Sequence, residues 1–184
     1  SPSLQGSAPG LSQSRAVAVA NGLAFVAYQA GIAVVDVSSP AVPQILGSAN
    51  MTQPTDVVAG NGYVYAACGN SGVTVVDVST PAVPVVTGSV DTGDAMAIDV
   101  AGSHVYVADG YAGLRIINVS DPTLPQIVGS ASVGTYVATV AVAGTYAYVG
   151  LGDGVLVQVI DVSNPAAPLV VATVSTAGAW SDLV

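Results

Sequence analysis

The residues of this chain that could do chemistry are nearly all aspartates. Eleven of the 184 residues are acidic and every one is Asp, whereas Arg15 and Arg115 supply the only positive charges. The net charge of −9 argues against nucleic-acid binding, because almost no side chain could neutralise a phosphate. Carboxylates can instead hold Ca²⁺, which takes about six to eight oxygen ligands. The position of the aspartates in the fold therefore decides which chemistry is open to the chain.

Catalysis finds little support in the sequence. The single histidine, His104, begins a second strand of its repeat, and we expect it at a turn or on the surface. No Ser-His-Asp set can be assembled around it, and no Cys/His spacing indicates a zinc site. Cys68 lies between Ala67 and Gly69 and is expected to be a small buried residue that forms no intrachain disulfide. We therefore predict no catalytic residues and no enzyme activity.

The segments that carry the aspartates repeat. GVTVVDVSTPAVP, starting at Gly72, returns with variations from Gly31, Gly113 and Gly154, at intervals of about 41 residues. Its polar position, which we call the corner residue, is occupied by Asp36, Asp77, Asn118 and Asp161. Such a side chain at a turn accepts hydrogen bonds from backbone N–H groups just beyond it. Because Asn118 replaces the acid in one copy, the corner residue is predicted to be part of the scaffold.

Each repeat is predicted to contain four short strands. In the second repeat these are residues 55–59, 63–68, 73–78 and 85–89, separated by Gly-rich turns and a Pro-containing corner. Four strands in about 41 residues is the pattern of a β-propeller blade, so the chain is predicted to be all-β. The four full blades are expected at 15–53, 54–94, 95–134 and 135–178. Although 52% of the residues are hydrophobic, their runs are too short for a membrane-spanning helix.

The repeated segment GIAVVDVSSPAVP resembles the LVIVD-repeat family of β-propellers, and the likeness extends from Arg15 to about Ser175. The resemblance implies a propeller fold and a location at a bacterial or archaeal cell surface. It supplies no catalytic residues.

One face of such a propeller gathers the turns that join the second strand to the third and the fourth strand to the next blade. We predict a ligand site on this face at Tyr111, Tyr136, Asp109 and Asp153, where rings and carboxylates could bind glycan or peptide. We predict a Ca²⁺ site at Asp91 and Asp94, with Asn70, Asp56, Asp99 and Tyr28 near the same face. Ordinary turn chemistry is the competing interpretation of these residues.

The two ends of the chain carry spare strands. Residues 4–7 resemble the outer strand at 45–48, and residues 179–184 resemble the inner strands at 55–58 and 96–100. These half-blade strands either belong to a longer propeller or pair with neighbouring copies, because exposed strand edges are association sites. The predicted assembly residues are Leu4, Ser7, Trp180 and Leu183.

The sequence thus leads to one main functional hypothesis. The chain is predicted to be a non-enzymatic, extracellular or cell-surface structural and interaction module that associates with copies of itself or with adjacent blades, as a filament or surface-layer subunit. The alternative is a propeller that recognises glycan or peptide through the Asp/Tyr loop face. A hydrolase or lyase on the same face has no residues to support it.

Overall fold

A computed structural model of the chain describes residues 10–152 and 156–175 and places every strand in one of four antiparallel sheets. Blade 1 contains β1 (Ala16–Ala20), β2 (Leu23–Tyr28), β3 (Gly31–Asp36) and β4 (Gln44–Asn50). Blade 2 contains β5 (Asp56–Gly60), β6 (Tyr63–Ala67), β7 (Val73–Asp77) and β8 (Val85–Val90). Blade 3 contains β9 (Ala97–Ala101), β10 (His104–Ala108), β11 (Leu114–Asn118) and β12 (Gln126–Ala131). Blade 4 contains β13 (Val137–Ala143), β14 (Tyr146–Leu151), β15 (Leu156–Asp161) and β16 (Leu169–Ser175).

These assignments confirm the predicted all-β propeller with four four-stranded blades. In each blade the strands pair in sequence order, so the first strand is innermost and the fourth outermost. The strands predicted for the second repeat agree with β5 to β8 to within one residue at each end. None of the described residues forms a helix that could span a membrane. The predicted half-blade strands at 4–7 and 179–184 lie outside the described residues.

Short turns and corners set the register within each blade. The turns Asn21-Gly22 and Asn61-Gly62 have positive φ at both residues, the conformation that joins two strands by a two-residue hairpin. At the corners, the backbone N–H of the residue two positions on donates to each corner residue at 2.8–2.9 Å. The neighbouring serine also lowers the pKa of the three corner aspartates through side-chain and backbone hydrogen bonds. The structure therefore confirms the scaffold role of the corner residues.

The hydrophobic core lies between the blades. Phe25 and Val34 of blade 1 pack with Val57 and Val76 of blade 2, and equivalent clusters fill the next two junctions. The third strands of blades 1 to 3 are largely buried.

The blades follow one another in an arc. Inner strands pack side by side in the order β1, β5, β9, β13. Among the described strands, no comparable packing joins β13 back to β1. The arc therefore has two ends, formed by blade 1 and blade 4.

Candidate functional site

The candidate site lies where two turns meet at the junction of blades 2, 3 and 4. One turn links β8 to β9, the other links β10 to β11, and Tyr136 just before β13 joins them. A backbone bridge from Gly69 to Ala95 joins the β8–β9 turn to the β6–β7 turn, and one from Gly110 to Val137 joins the β10–β11 turn to the start of β13. Gly110 has φ of +52°, and a Cβ there would lie 2.6 Å from Asp94 Oδ2. Glycine suits this position, because any other side chain would be strained at this φ and would push the Asp94 carboxylate aside.

Asp109 is the buried centre of this arrangement. Its side chain is fully buried, and its Oδ1 accepts hydrogen bonds from Thr92 Oγ1 and the Asp94 backbone N–H, both at 2.8 Å. Its Oδ2 accepts a bond from Arg115 Nε at 3.3 Å. These contacts fix the turn before β9 to the body of blade 3. A ligand could reach the Asp109 carboxylate only by displacing them, so Asp109 serves the fold of the site.

An aromatic pair, Tyr111 and Tyr136, lies beside Asp94. The Tyr136 hydroxyl donates to Asp94 Oδ2 at 3.3 Å, and burial, followed by the nearby Asp94 charge, raises the pKa of that phenol. Tyr111 packs against Tyr136 edge to face, with ring centroids 5.0 Å apart. Because the Tyr111 side chain is 83% exposed, its outer surface is free to contact a ligand. The structure thus brings together Tyr111, Tyr136 and Asp94, whereas Asp153 lies outside the described residues.

The predicted Ca²⁺ ligands are two neighbouring carboxylates with other roles. Asp91 is exposed and its Oδ1 accepts the Gly93 N–H at 3.1 Å, as in an ordinary Asx turn. Asp94 is engaged by Tyr136. Within residues 10–152 and 156–175, no three His, Cys, Asp or Glu side chains are grouped as metal ligands usually are. Two carboxylates fall short of the about six to eight oxygens that Ca²⁺ takes, so the fit is poor.

Two further aspartates connect the inner strands. Asp56 Oδ2 accepts the Ile98 N–H of the next blade at 2.9 Å, and Asp99 Oδ2 accepts the Val142 N–H at 2.7 Å. Each carboxylate therefore joins one inner strand to the next. Both residues were expected near the loop face, and their bonds to the next inner strand were not predicted. The sequence could have indicated this role, because both aspartates lie on strands that are predicted to be innermost and therefore next to one another.

The remaining candidate residues lie apart from this site. His104 begins β10, on the opposite edge of blade 3 from the β10–β11 turn, with Nδ1 3.4 Å from Ser103 Oγ. Cys68 is buried, as predicted; burial raises the pKa of its thiol, and Sγ lies 3.7 Å from Thr74 Oγ1. Tyr28 ends β2 in blade 1, and Asn70 is exposed in the turn after β6. The predicted assembly residues Leu4, Ser7, Trp180 and Leu183 lie outside the described residues.

Comparison with protein families gives four consecutive matches to the LVIVD repeat, at residues 12–51, 53–92, 93–133 and 134–176. The chain belongs to the LVIVD-repeat family. The resemblance stated from the sequence is thereby confirmed. No curated protein matches this LVIVD-repeat chain.

Solved structures similar to this LVIVD-repeat chain are β-propellers and designed proteins. The β-propeller domain of Cps50 from Myceliophteria thermophila matches with a TM-score of 0.70 and 15% identity, over 89% of this chain and 59% of that one. The computationally designed Ika4 protein matches with a TM-score of 0.67 and 18% identity, over 88% and 96% of the two chains. Apo AztD from Citrobacter koseri matches with a TM-score of 0.65 and 16% identity, over 91% of this chain and 48% of that one. At these identities the likeness shows the fold alone. The LVIVD-repeat chain spans about half the length of several proteins that it matches, including the designed Ika8 at 46%.

Proposed function

We propose that this chain is a non-enzymatic structural and interaction module that acts outside the cell or on its surface. In this proposal, copies of the chain associate through the two ends of the blade arc. The observation that carries it is the exposure of apolar side chains on the first inner strand, where Val17 and Val19 are 60% and 68% exposed. Exposed apolar surface of this kind marks an interaction site.

The proposed location outside the cell rests on the amino-acid composition of the chain and on its family. A chain with no Lys and two Arg offers few cleavage sites to trypsin-like proteases, which suits life outside the cell. The predicted terminal strands at 4–7 and 179–184 would contribute to the association as added strands. A filament or surface layer would be the larger assembly built in this way. Labelling of intact source cells with an antibody against the chain tests the location, and a signal only after lysis would contradict it.

The mass of the purified chain in solution tests the association. We expect light scattering coupled to size exclusion to give a mass above the 17.9 kDa of one chain, falling on dilution. A monomer at every concentration would overturn the proposal. Deleting residues 179–184 tests the terminal strand by itself, and an unchanged mass would rule out strand addition at that end.

A second candidate function is recognition of glycan or peptide at the loop face. It is favoured by the exposed ring of Tyr111 beside Tyr136 and the Asp94 carboxylate. We expect binding on a glycan or peptide array to be lost on Tyr111→Ala and kept on Tyr146→Ala, a partly exposed tyrosine at the opposite edge of its blade. Equal loss in both variants would contradict a site at this face.

A further inference from the structure

A groove lies on the edge of the blades opposite the loop face. We call this edge the hairpin face, because it carries the two-residue hairpins Asn21-Gly22 and Asn61-Gly62. The groove runs between blades 2 and 3 and has a volume of about 330 Å³, at the small end of the about 300–1,000 Å³ that ligand sites span. The residues that line it lie between Asn61 and Pro122, so neither end of the blade arc contributes to it.

Two tyrosines of β6 line this groove. Tyr63, the first residue of the strand, is half-buried, and Tyr65 is 1% exposed. Burial, followed by the neighbouring Tyr63 phenol, raises the pKa of the Tyr65 hydroxyl, although a hydrogen bond with the Asn61 side chain acts in the opposite direction. The Tyr65 phenol therefore stays protonated at neutral pH and adds no charge to the groove.

The exposed polar side chains of the groove come from both blades. Asn61 belongs to blade 2, whereas Ser103 and Ser120 belong to blade 3. Asn61 Nδ2 donates to the Gly102 carbonyl at 2.8 Å, and this bond across the junction holds the amide in place. An amide has a second N–H donor and a carbonyl acceptor, and a serine hydroxyl can donate and accept. The groove thus offers preformed hydrogen-bonding groups on both sides, which lowers the entropic cost of binding.

The aligned residues of other blades show that packing does not require the two tyrosines. Tyr63 lies opposite the corner residue of its blade, and the same place is taken by Leu23 in blade 1 and His104 in blade 3. Tyr65 aligns in the same way with Phe25, which is 3% exposed and has no hydroxyl. The phenol groups of blade 2 are therefore available to a ligand.

No residue that lines the groove is charged, although the chain has a net charge of −9. Asp77, opposite Tyr63 in the sheet, already accepts the Ser79 N–H at 2.8 Å. A charged ligand would find no partner of opposite charge in the groove, and an anion would also be repelled by the chain. An aromatic ring beside an amide and hydroxyls suits a sugar, which presents apolar C–H surface and hydroxyl groups.

We propose that the groove between blades 2 and 3 on the hairpin face binds a neutral carbohydrate. The site is separate from the loop face and from the ends of the arc, so it rests on neither proposed function. Asn61 and Tyr63 also line a smaller groove of about 230 Å³ between blades 1 and 2, so the two grooves meet at these residues. A chain of sugars can therefore extend from one groove into the other and should bind more tightly than a single sugar.

Amide signals of the nitrogen-15-labelled full chain provide the test. The probes are uncharged hexasaccharides, namely cellohexaose, chitohexaose, maltohexaose and mannohexaose. We expect at least one of them to shift the amide signals of Asn61, Gly102 and Ser103 in a saturable way, and the proposal is wrong if none does. Hexagalacturonate, a carboxylated sugar chain, should bind at least ~10-fold more weakly at low salt, because the acidic chain repels it. Equal binding of this anion would contradict a site for neutral sugars.

Variants that copy blade 1 identify the residues that bind. Tyr63→Leu reproduces Leu23 and should weaken the affinity at least ~10-fold, because a ring contact and a hydroxyl are lost. Tyr65→Phe reproduces Phe25 and should weaken it about 3–10-fold, the value of one hydrogen bond. Both variants should fold, and unchanged amide signals outside the groove check this. Tyr111→Ala, on the loop face, is the control and should leave the shifts at the groove unchanged. An unchanged affinity of Tyr63→Leu would overturn the proposed site.

Two further outcomes would give the groove another role. Shifts confined to Gly110 and Tyr111, and lost on Tyr111→Ala, would place the sugar on the loop face. That result would refute the groove and support the second candidate function. Shifts of the groove amides with a decaproline peptide, and with none of the sugars, would show that the groove takes a proline-rich segment and would refute the carbohydrate site.

Discussion

Replacing Asp109 by alanine is expected to lower the free energy of unfolding by about 3 kcal/mol. The carboxylate accepts two bonds from buried or half-buried donors, Thr92 Oγ1 and the Asp94 N–H, at 2.8 Å each. A net hydrogen bond to a charged group contributes about 1.5–3 kcal/mol. We take the lower value for each, because the substitution also removes the cost of burying the charge. The Arg115 contact adds little, since that side chain is 30% exposed and water can replace the carboxylate.

Urea unfolding of the full chain at neutral pH, at one protein concentration, measures this loss. Asp109→Asn keeps the shape and one acceptor oxygen, so it should cost about 1–2 kcal/mol. Asp91→Ala, in an exposed turn, is the matched control and should cost about 0.5 kcal/mol or less. An Asp109→Ala loss no larger than that of the control, with an unchanged urea slope, would refute the buried-anchor interpretation.

Three further predictions concern the scaffold. Converting all three corner aspartates to asparagine should leave stability at neutral pH unchanged, since blade 3 already has asparagine there. The folded pKa values of these aspartates are lowered below 3.8, so their contribution to stability is complete above that value and is lost as pH falls through the folded pKa. In thermal melts from about pH 5 to about pH 2, the melting temperature of the variant should therefore decline less steeply than that of the wild-type chain. Gly129→Ala should destabilise the chain by about 1–3 kcal/mol in urea unfolding, because the added Cβ would meet the Pro165 backbone carbonyl. Gly60→Ala is the control and should be nearly neutral, because its Cβ would meet only a Val100 methyl group at 3.1 Å. Equal losses of stability in the two variants would contradict the close approach at Gly129. Cys68 is buried, and burial raises the pKa of its thiol. The thiol should therefore react with a disulfide reagent at least ~100-fold more slowly in the folded chain than in urea. Rapid labelling of the folded chain would contradict the burial of Cys68.

The strands and blades were predictable because each repeat carries its own signals. Alternation, Gly-rich turns and the corner residue are local features, and four copies reduce the chance of misreading one. The proximity of Tyr111 and Tyr136 also followed from the predicted face. The burial of Asp109 did not, because its partners Thr92 and Arg115 come from different turns and strands. An alignment of the repeats could have indicated the burial of Asp109, because this residue aligns with Cys68 and Leu151, which are both small or apolar residues of the kind found in a core.

The exposure of the arc's ends was predictable only in part. Spare strands at both termini indicated an open edge, and Val17 and Val19 of blade 1 and Val174 of blade 4 are exposed as well. Nothing local distinguishes Val17 from its buried counterparts, because both are apolar residues on inner strands. The difference lies in which neighbour is present, and only the assembled arc shows that.

The carboxylates that join the inner strands have a consequence for how the chain opens. Asp56 ties blade 2 to blade 3 and Asp99 ties blade 3 to blade 4. The aligned positions in blade 1 are Ala16 and Ala18, which cannot accept such bonds. In a stack whose cooperativity comes from nearest neighbours, the unit with the weakest coupling unzips first. Native-state hydrogen exchange should therefore release the amides of blade 1 ahead of the others. We therefore expect blades 2 to 4 to open together, after blade 1 has opened.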